Sequence, residues 1–397
     1  MPKKVSGKKT SARAKTGARA RTSGSGGQEA PRPSSRLARA AATAMGEVLK
    51  VRKGERVVIV TNPLDDVLTI SAALYDAALD RGADAVMIVQ PRRTSLDMAS
   101  DAVIHALRSQ PDVICSISAE KLGKDRFGLA EPYRFPPNEG SWPHIFDALM
   151  GAKLARAFWS PSVTIDMFSR TVAVDYARIA RQARKLKRAL DAADRVRITA
   201  PGGTNIEVGL RDRKAHLDDG SFSKPGTGGN LPAGEAYISP ALHDCEGVIV
   251  FDGSLTSTDG AFVPRAPVTV EVRGGLVTAV RGGDGARRLE HSLRKGEQAA
   301  LKMAGKSGWT EEKIESYRRN ARHIGELGIG LNPAAKVTGN MLEDEKILGT
   351  CHFAIGSNYD NDAEAFIHLD CIVRKPTMLA IGTAGRSRAI MRDGEIV

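Results

Sequence analysis

Cysteine is scarce in this chain: Cys115, Cys245, Cys351 and Cys371 stand far apart, and none belongs to a CxxC pair. That spacing argues against a disulfide framework or a structural zinc knuckle, and it fits a reducing, cytoplasmic setting. No window approaches eighteen consecutive apolar residues, so no α-helical membrane span is expected. No short apolar segment follows the basic N-terminus, so no Sec-type signal peptide is expected either. The chain also lacks a GxGxxG after its first strand, a P-loop and a GxSxG elbow. A dinucleotide site, a nucleotide-phosphate loop and a serine-hydrolase elbow therefore have no sequence support.

What is present describes a soluble protein of ordinary composition. The 397 residues are 42% hydrophobic and 26% charged, enough for a sizeable core and two domains. The net charge of +12 is unevenly placed. Residues 1–40 hold eleven Lys or Arg and one acid, Glu29, which leaves the remaining chain at only +2. A nucleic-acid-binding body thus loses its main support. Residues 1–40 read as a disordered basic tail, rich in Lys, Arg, Ser, Gly and Ala. A solubilising extension is the ordinary role of such a tail, and contact with nucleic acid or an anionic surface is the alternative. A mitochondrial transit peptide would need an apolar face that residues 1–36 lack.

Ordered structure is expected from about Ser35–Arg39. A helix over Leu37–Leu49 leads to a buried strand, Arg56–Val60. Helix Leu68–Leu79, strand Ala83–Val89, helix Ser100–Leu107 and strand Asp112–Ser118 follow. This alternation implies a parallel sheet with covering helices, a Rossmann-like α/β domain over 41–194. Residues 119–165 read as irregular, and a long helix spans Val174–Asp194 with a solvated Arg181–Arg188 face. From Arg195 the strands shorten and the glycines crowd. Val196–Thr199 and Val248–Asp252 read as strands, and Val268–Val280 as a hairpin about Gly274-Gly275. Helices are expected at 286–304 and 310–322, the latter capped by Thr310. Residues 195–397 therefore read as a mixed α+β domain, and the whole as an α/β protein.

Candidate chemistry gathers in that second half. Glu235 lies in GNLPAGEAYISP, which reads as a loop. Glu326 lies in HIGELGIGLNP, where burying a carboxylate is costly without a partner or a metal, and His323 is one candidate partner. His352 interrupts the apolar LGTCHFAIG, and Tyr359 follows it by seven residues. A lone histidine in an apolar strand is ordinarily a packed core residue. In AFIHLDCIV, His368 and Asp370 share one strand face while Leu369 and Cys371 take the other. An imidazole beside a carboxylate suits a metal, although a structural His–Asp hydrogen bond has the same signature. Two Glu, two His, one Asp and one Tyr exceed one structural zinc and suffice for two ions sharing a ligand. Asp344 and Glu345 in EDEKILG are further candidates for outer contacts or general-base work, a charged turn being the plainer interpretation.

The segments GNLPAGE, IGELGIGLNP, DEKILGTCHFAIG and HLD resemble those of the aminopeptidase T family of metallopeptidases, which includes aminopeptidase S. The resemblance covers roughly residues 45–395. It implies a homodimer, a peptide substrate, and two divalent ions, Zn, Co or Mn, held by Glu235, Glu326, His352, Tyr359, His368 and Asp370. With that ligand set the expected mechanism has Glu326 bridging or nearly bridging the ions, Tyr359 as a ligand or stabiliser of the tetrahedral intermediate, and Asp344 or Glu345 relaying protons. The same fold is shared with 2,5-dihydroxypyridine dioxygenase, a single-iron enzyme similar to this chain around GLNP and HLD. There a histidine stands at the position of Glu326, and no acid matches Glu235. On this basis the expected activity is a two-metal aminopeptidase. An Fe(II) ring-cleaving enzyme or another small-molecule metallohydrolase is the alternative.

Overall fold

The computed structural model describes residues 35–383 and 385–397. The expected tail lies outside these residues except for its last few, which are not disordered: they begin a helix, Ser35–Thr43. A π-helical turn, Ala44–Val48, continues it. Leu37, Ala40, Ala41, Ala44, Met45 and Val48 of this segment are all buried. Among the described residues no helix is long and apolar enough to cross a membrane.

The strands in chain order begin with β1 (Arg56–Thr61), β2 (Asp84–Val89), β3 (Val113–Ile117) and β4 (Arg156–Trp159). Next come β5 (Arg195–Thr199), β6 (Asn205–Gly209), β7 (His216–Asp218), β8 (Gly228–Asn230), β9 (Glu235–Ile238) and β10 (Cys245–Phe251). The short β11 (Leu255–Ser257) and β12 (Gly260–Phe262) precede the hairpin β13 (Val268–Arg273) and β14 (Leu276–Arg281). The last are β15 (Ile324–Gly330), β16 (Thr350–Gly356), β17 (His368–Arg374), β18 (Thr377–Ile381), β19 (Ser387–Arg392) and β20 (Glu395–Ile396).

Among the described residues three sheets result. The first is parallel, in the order β2-β1-β3-β4-β8, as the strand–helix alternation anticipates. The apolar run RVVIVT becomes β1, an inner strand covered on both faces. Helix Asp65–Asp80 connects β1 to β2 and starts with Asp65 and Asp66, whose charge favours its N-terminus. Just past β1, Asn62 links the ends of β2 and β3, its amide donating to Gln90 O and accepting from Ala119 N–H. Two features depart from expectation. Residues 119–165 are not irregular: they contain helices Arg126–Ala130 and Ile145–Gly151 and strand β4. These elements are too short for their periodicity to register. The fifth strand, β8, also comes from beyond residue 194, so the sheet recruits chain from the later half.

The other two sheets are antiparallel. One runs β14-β13-β10-β6-β5-β18-β19-β20 and the other β12-β11-β17-β16-β15-β9-β7. The β13–β14 turn uses Gly274 and Gly275 at φ 53 and 75, the left-handed pair a tight hairpin requires. Thr310 caps helix Glu311–Asn320, its hydroxyl accepting from Lys313 N–H at 3.2 Å. Helix Tyr176–Leu190 buries Ile179, Ala183, Leu186 and Leu190 and leaves Arg181, Arg184 and Arg188 exposed, the solvated face the sequence suggests.

At the start of β4 an ion pair with a buried arginine joins distant segments. The Arg156 side chain is 5% exposed and donates to Leu49 O at 2.7 Å and to Glu55 Oε2 at 2.5 Å. Burial alone raises the Glu55 carboxyl, but Arg156 and the Arg52 N–H outweigh it and hold it low. Arg156→Met should therefore cost about 3 kcal/mol, measured by urea denaturation at pH 7. A depressed carboxylate contributes above its unfolded pKa and loses that contribution as pH falls through the folded value. The gap between wild type and variant should accordingly narrow below about pH 4.

Candidate metal centre

Neighbouring strands of the seven-stranded sheet build the centre, and strand alternation decides which side chains meet. On β15, Glu326, Gly328 and Gly330 share one face, while Leu327 and Ile329 enter the core. Register aligns that face across the sheet. Gly330 pairs with Glu235, Gly328 with Tyr237 and His352, Glu326 with Ala354, Ala354 with Asp370, and Gly356 with His368. Each long polar side chain thus stands beside a glycine or alanine on the next strand. The space is needed: a Cβ on Gly328 would lie 2.0 Å from His352 Nε2. Cys351 and Cys371 alternate to the opposite face, so no thiolate joins the set.

The structure brings together five of the expected ligands. Glu326 Oε1 lies 3.3 Å from His352 Nε2, and its Oε2 lies 3.2 Å from His368 Nε2. His368 Nε2 is also 3.3 Å from Asp370 Oδ1, and His352 Nε2 is 3.7 Å from Glu235 Oε2. Two donor groups follow, Glu235–Glu326–His352 and Glu326–His368–Asp370, each with ligand atoms within 4.8 Å of one another. Glu326 belongs to both. It is 3% exposed, in the middle of a strand. Glu235 is not on a loop but opens strand β9, because it pairs with Gly330 and Asp218 on strands remote in sequence. His323 is not the partner of Glu326; neither of its ring nitrogens has a hydrogen bond.

The residues fit a hard or borderline cation. Glu235 Oε2 is a buried carboxylate oxygen with no hydrogen-bond donor aimed at it. His368 Nδ1 lies 2.9 Å from Ser357 O, so it carries the proton in the neutral ring and leaves the Nε2 lone pair toward Glu326 and Asp370. Burial raises the Glu326 carboxyl, but His352 and His368 outweigh it and hold it well below the usual range. Burial lowers His352, yet Glu326, Glu235 and Asp370 push it up to about 9. His368 is likewise held well above its ordinary value, burial being outweighed by Asp370 and Glu326. Without a cation, the imidazoles supply the positive charge that the carboxylates require.

Tyr359 sits on the loop after β16 and is half-exposed. Its ring meets the edge of His368 at 5.4 Å and lies 5.0 Å from Tyr237, which stacks on His216 at 5.3 Å. Burial of the phenol and the neighbouring Glu326 and Asp370 charges keep its proton on. Arg213 clamps the same loop through Asp360 at 3.1 Å and Asp362 at 2.8 Å. Of the two outer candidates, Asp344 is not a solvated turn residue: it is buried and accepts from Thr338 and Gly339 N–H, both at 2.8 Å. Glu345 does approach the centre. Burial and then Glu235 and Asp370 raise its carboxyl, against the opposing charge of Lys346.

Sequence reasoning missed Lys346, Asp218 and Tyr237. Lys346 is fully buried, with Nζ 2.6 Å from Glu235 Oε1, 2.7 Å from Glu345 Oε1 and 3.4 Å from Asp218 Oδ2. Nothing local marks a lysine in EDEKILG as buried. Asp218 did leave a signal, since His216–Asp218 repeats the tripeptide HLD of 368–370.

Two outcomes are expected. Metal uptake must displace the imidazole protons, so affinity should fall by about tenfold per pH unit for each proton between pH 8 and 6, with proton release measured calorimetrically in two buffers. Gly328→Ala should push His352 aside and weaken metal binding at least ~10-fold, while far-ultraviolet circular dichroism stays unchanged.

Comparison with known proteins places this geometry in context. No curated protein sequence matches the chain. The solved structure of 2,5-dihydroxypyridine dioxygenase from Pseudomonas putida KT2440 superposes with a TM-score of 0.66 at 15% identity, covering 92% of this chain and 98% of that one. Wild-type AmpT from Thermus thermophilus superposes with a TM-score of 0.59 at 17% identity, covering 91% and 99% respectively. Both likenesses establish the fold. The model of one protein family, NicX, 2,5-dihydroxypyridine 5,6-dioxygenase, matches residues 39–380. The match runs from the first helix through all the candidate ligands to β18, and the chain therefore belongs to the NicX family, that of 2,5-dihydroxypyridine 5,6-dioxygenase.

Proposed function

We propose that the chain is a single-metal dioxygenase that opens a small hydroxylated aromatic or heteroaromatic ring. Family membership supports this, in place of the aminopeptidase expected above. The observation beside it is the donor group Glu326–His368–Asp370, one imidazole and two carboxylates whose ligand atoms lie within 4.8 Å of one another. A mixed imidazole–carboxylate group of that kind suits a divalent iron, although a glutamate stands here where the dioxygenase has a histidine. When bound, Fe(II) supplies the one-electron chemistry by which oxygen attacks an aromatic ring, which no side chain here can supply.

The chain's own residues would hold and orient the substrate. Tyr359 and Tyr237 form an aromatic wall beside His368, against which a flat ring can stack offset. The Tyr359 Oη, kept protonated by the surrounding carboxylates, donates a hydrogen bond to a ring oxygen. Glu345, with its raised pKa, retains a carboxyl proton nearer neutrality and can return it to the product. Ser357 O keeps the His368 ring in its ligating tautomer.

A second reading has a specific observation behind it. The two donor groups share Glu326, the arrangement a pair of ions in a hydrolase needs, and Glu235 adds an acid on the far side. In that reading the expected aminopeptidase chemistry stands. Glu326 would bridge, and the Tyr359 Oη would donate to the tetrahedral oxyanion.

An oxygen electrode separates the two. Anaerobically loaded with Fe(II) and given 2,5-dihydroxypyridine, the protein should consume oxygen in step with loss of the substrate's absorbance. His368→Ala should lower that rate at least ~10²-fold, about 2.7 kcal/mol of transition-state stabilisation. Release of p-nitroaniline from aminoacyl-p-nitroanilides with Zn²⁺, Co²⁺ or Mn²⁺, and no oxygen uptake, would sink the dioxygenase in favour of the peptidase.

A further inference from the structure

A cleft of about 490 Å³ lies between helix Tyr176–Leu190 and the β18–β19 hairpin, and it shares no residue with the metal centre. Lys185, Arg188 and Ala189 recur at i, i+3 and i+4, so one face of the helix forms the first wall. On the second wall Arg388 pairs in register with Ala380, and Arg386 stands beside Gly382, whose N–H donates to Arg386 O at 3.0 Å. Apart from the four cations, the lining is alanine and glycine, so the charged heads are open to a ligand. The walls are fixed against each other. Asp194 N–H donates to Ile381 O at 2.8 Å, and β18 pairs with β5 immediately after the helix.

The four cations are unmatched. Among the described residues none of the Lys185, Arg188, Arg386 and Arg388 side chains has a hydrogen bond or an ion pair. The nearby acids are turned to other partners: Asp191 to Lys187 at 3.0 Å, Asp194 to Arg211 at 3.9 Å, Asp219 to Arg184 at 3.9 Å and Asp244 to Arg195 at 2.8 Å. A cation near a helix C-terminus complements the partial charge there, which accounts for Arg188. It does not account for two arginines brought to face it from the hairpin. Nor does general basicity, since the chain beyond residue 40 carries a net charge of only +2. Like charges around one cleft repel, and a bound anion relieves that repulsion.

We propose that this cleft binds a compact polyanion bearing two or more linked phosphate groups, held by Lys185, Arg188, Arg386 and Arg388. The planar fork of an arginine matches paired phosphate oxygens, and three of the four cations are arginines. The lining contains no aromatic residue on which a base could stack, so the phosphates themselves are what the site reads.

Calorimetric titration of the full chain with sodium tripolyphosphate at low salt tests this. Wild type should bind it one to one, and added salt should weaken the binding. Arg386→Ala with Arg388→Ala should weaken it at least ~10-fold, and Arg188→Ala on the opposite wall at least ~3-fold, with circular dichroism unchanged. Arg197 and Arg265 are exposed and lie outside the cleft. Replacing both by alanine removes the same net charge and should leave the affinity within about twofold. No binding by wild type would overturn the proposal. Unchanged affinity in the cleft double variant would do so too, by assigning the binding to the basic N-terminal residues, and equal losses in both double variants would assign it to overall charge. ATP should bind about as tightly as tripolyphosphate, whereas a preference for ATP of about tenfold or more would show base recognition and overturn the phosphate-only site. Tighter binding of a single-stranded oligonucleotide through the same arginines would overturn the compact ligand in favour of nucleic acid.

Discussion

A carboxylate buried in the middle of a β-sheet is the constraint on which this molecule is organised. Glu326 is 3% exposed, with apolar neighbours on either side along its strand. Stripped of water, it is stable only beside positive charge. His352 and His368 supply it from the next strands, one to each carboxylate oxygen. Their bulk is accommodated because the residues paired with the ligands are glycine or alanine, and those small residues are in turn tolerable because the sheet's other face packs firmly. Leu327, Ile329, Phe353, Ile355, Leu369 and Val373 are all buried there. Core and site are thus two faces of the same four strands.

The charge then spreads outward in layers. Glu235 stands between His352 and Lys346, and Lys346 between Glu235, Glu345 and Asp218. The parallel sheet contributes to this arrangement through connectivity. Its last strand, β8, leads within a few residues to Glu235, and Asn332 fastens that connection by donating to Thr171 O at 2.9 Å and Ala233 O at 3.0 Å. Arg170 adds a further tie to the segment before Lys346, donating to Glu343 Oε1 at 2.6 Å. The α/β half therefore does more than flank the site: it holds in place the acid that meets the lysine.

Much of this was legible beforehand, for a local reason. The alternation in AFIHLDCIV already put His368 and Asp370 together, because a strand has a period of two and needs no partner to express it. The apolar surroundings of Glu326 already announced a buried carboxylate. The hairpin about Gly274-Gly275 and the Thr310 cap followed from residues within a few positions of each other. Glu235 as a strand residue, β4 within the supposed loop, and β8 in the parallel sheet were not legible, since each depends on a neighbour remote in sequence. His323 shows the opposite error: closeness in sequence suggested a partnership with Glu326 that the backbone does not permit.

Sequence alone determined the α/β class, the polar face of β17, the buried acid of β15 and, through its match along 39–380, the family. Tertiary structure alone decided that Glu326 is shared by two imidazoles, and that Lys346 is buried against its neighbour Glu345 and two remote acids, Asp218 and Glu235. The difference is physical. Periodicity and capping act over a few residues and are written in them. The burial of a charge depends on which other charges the folded chain carries to it, and no stretch of sequence contains that information by itself.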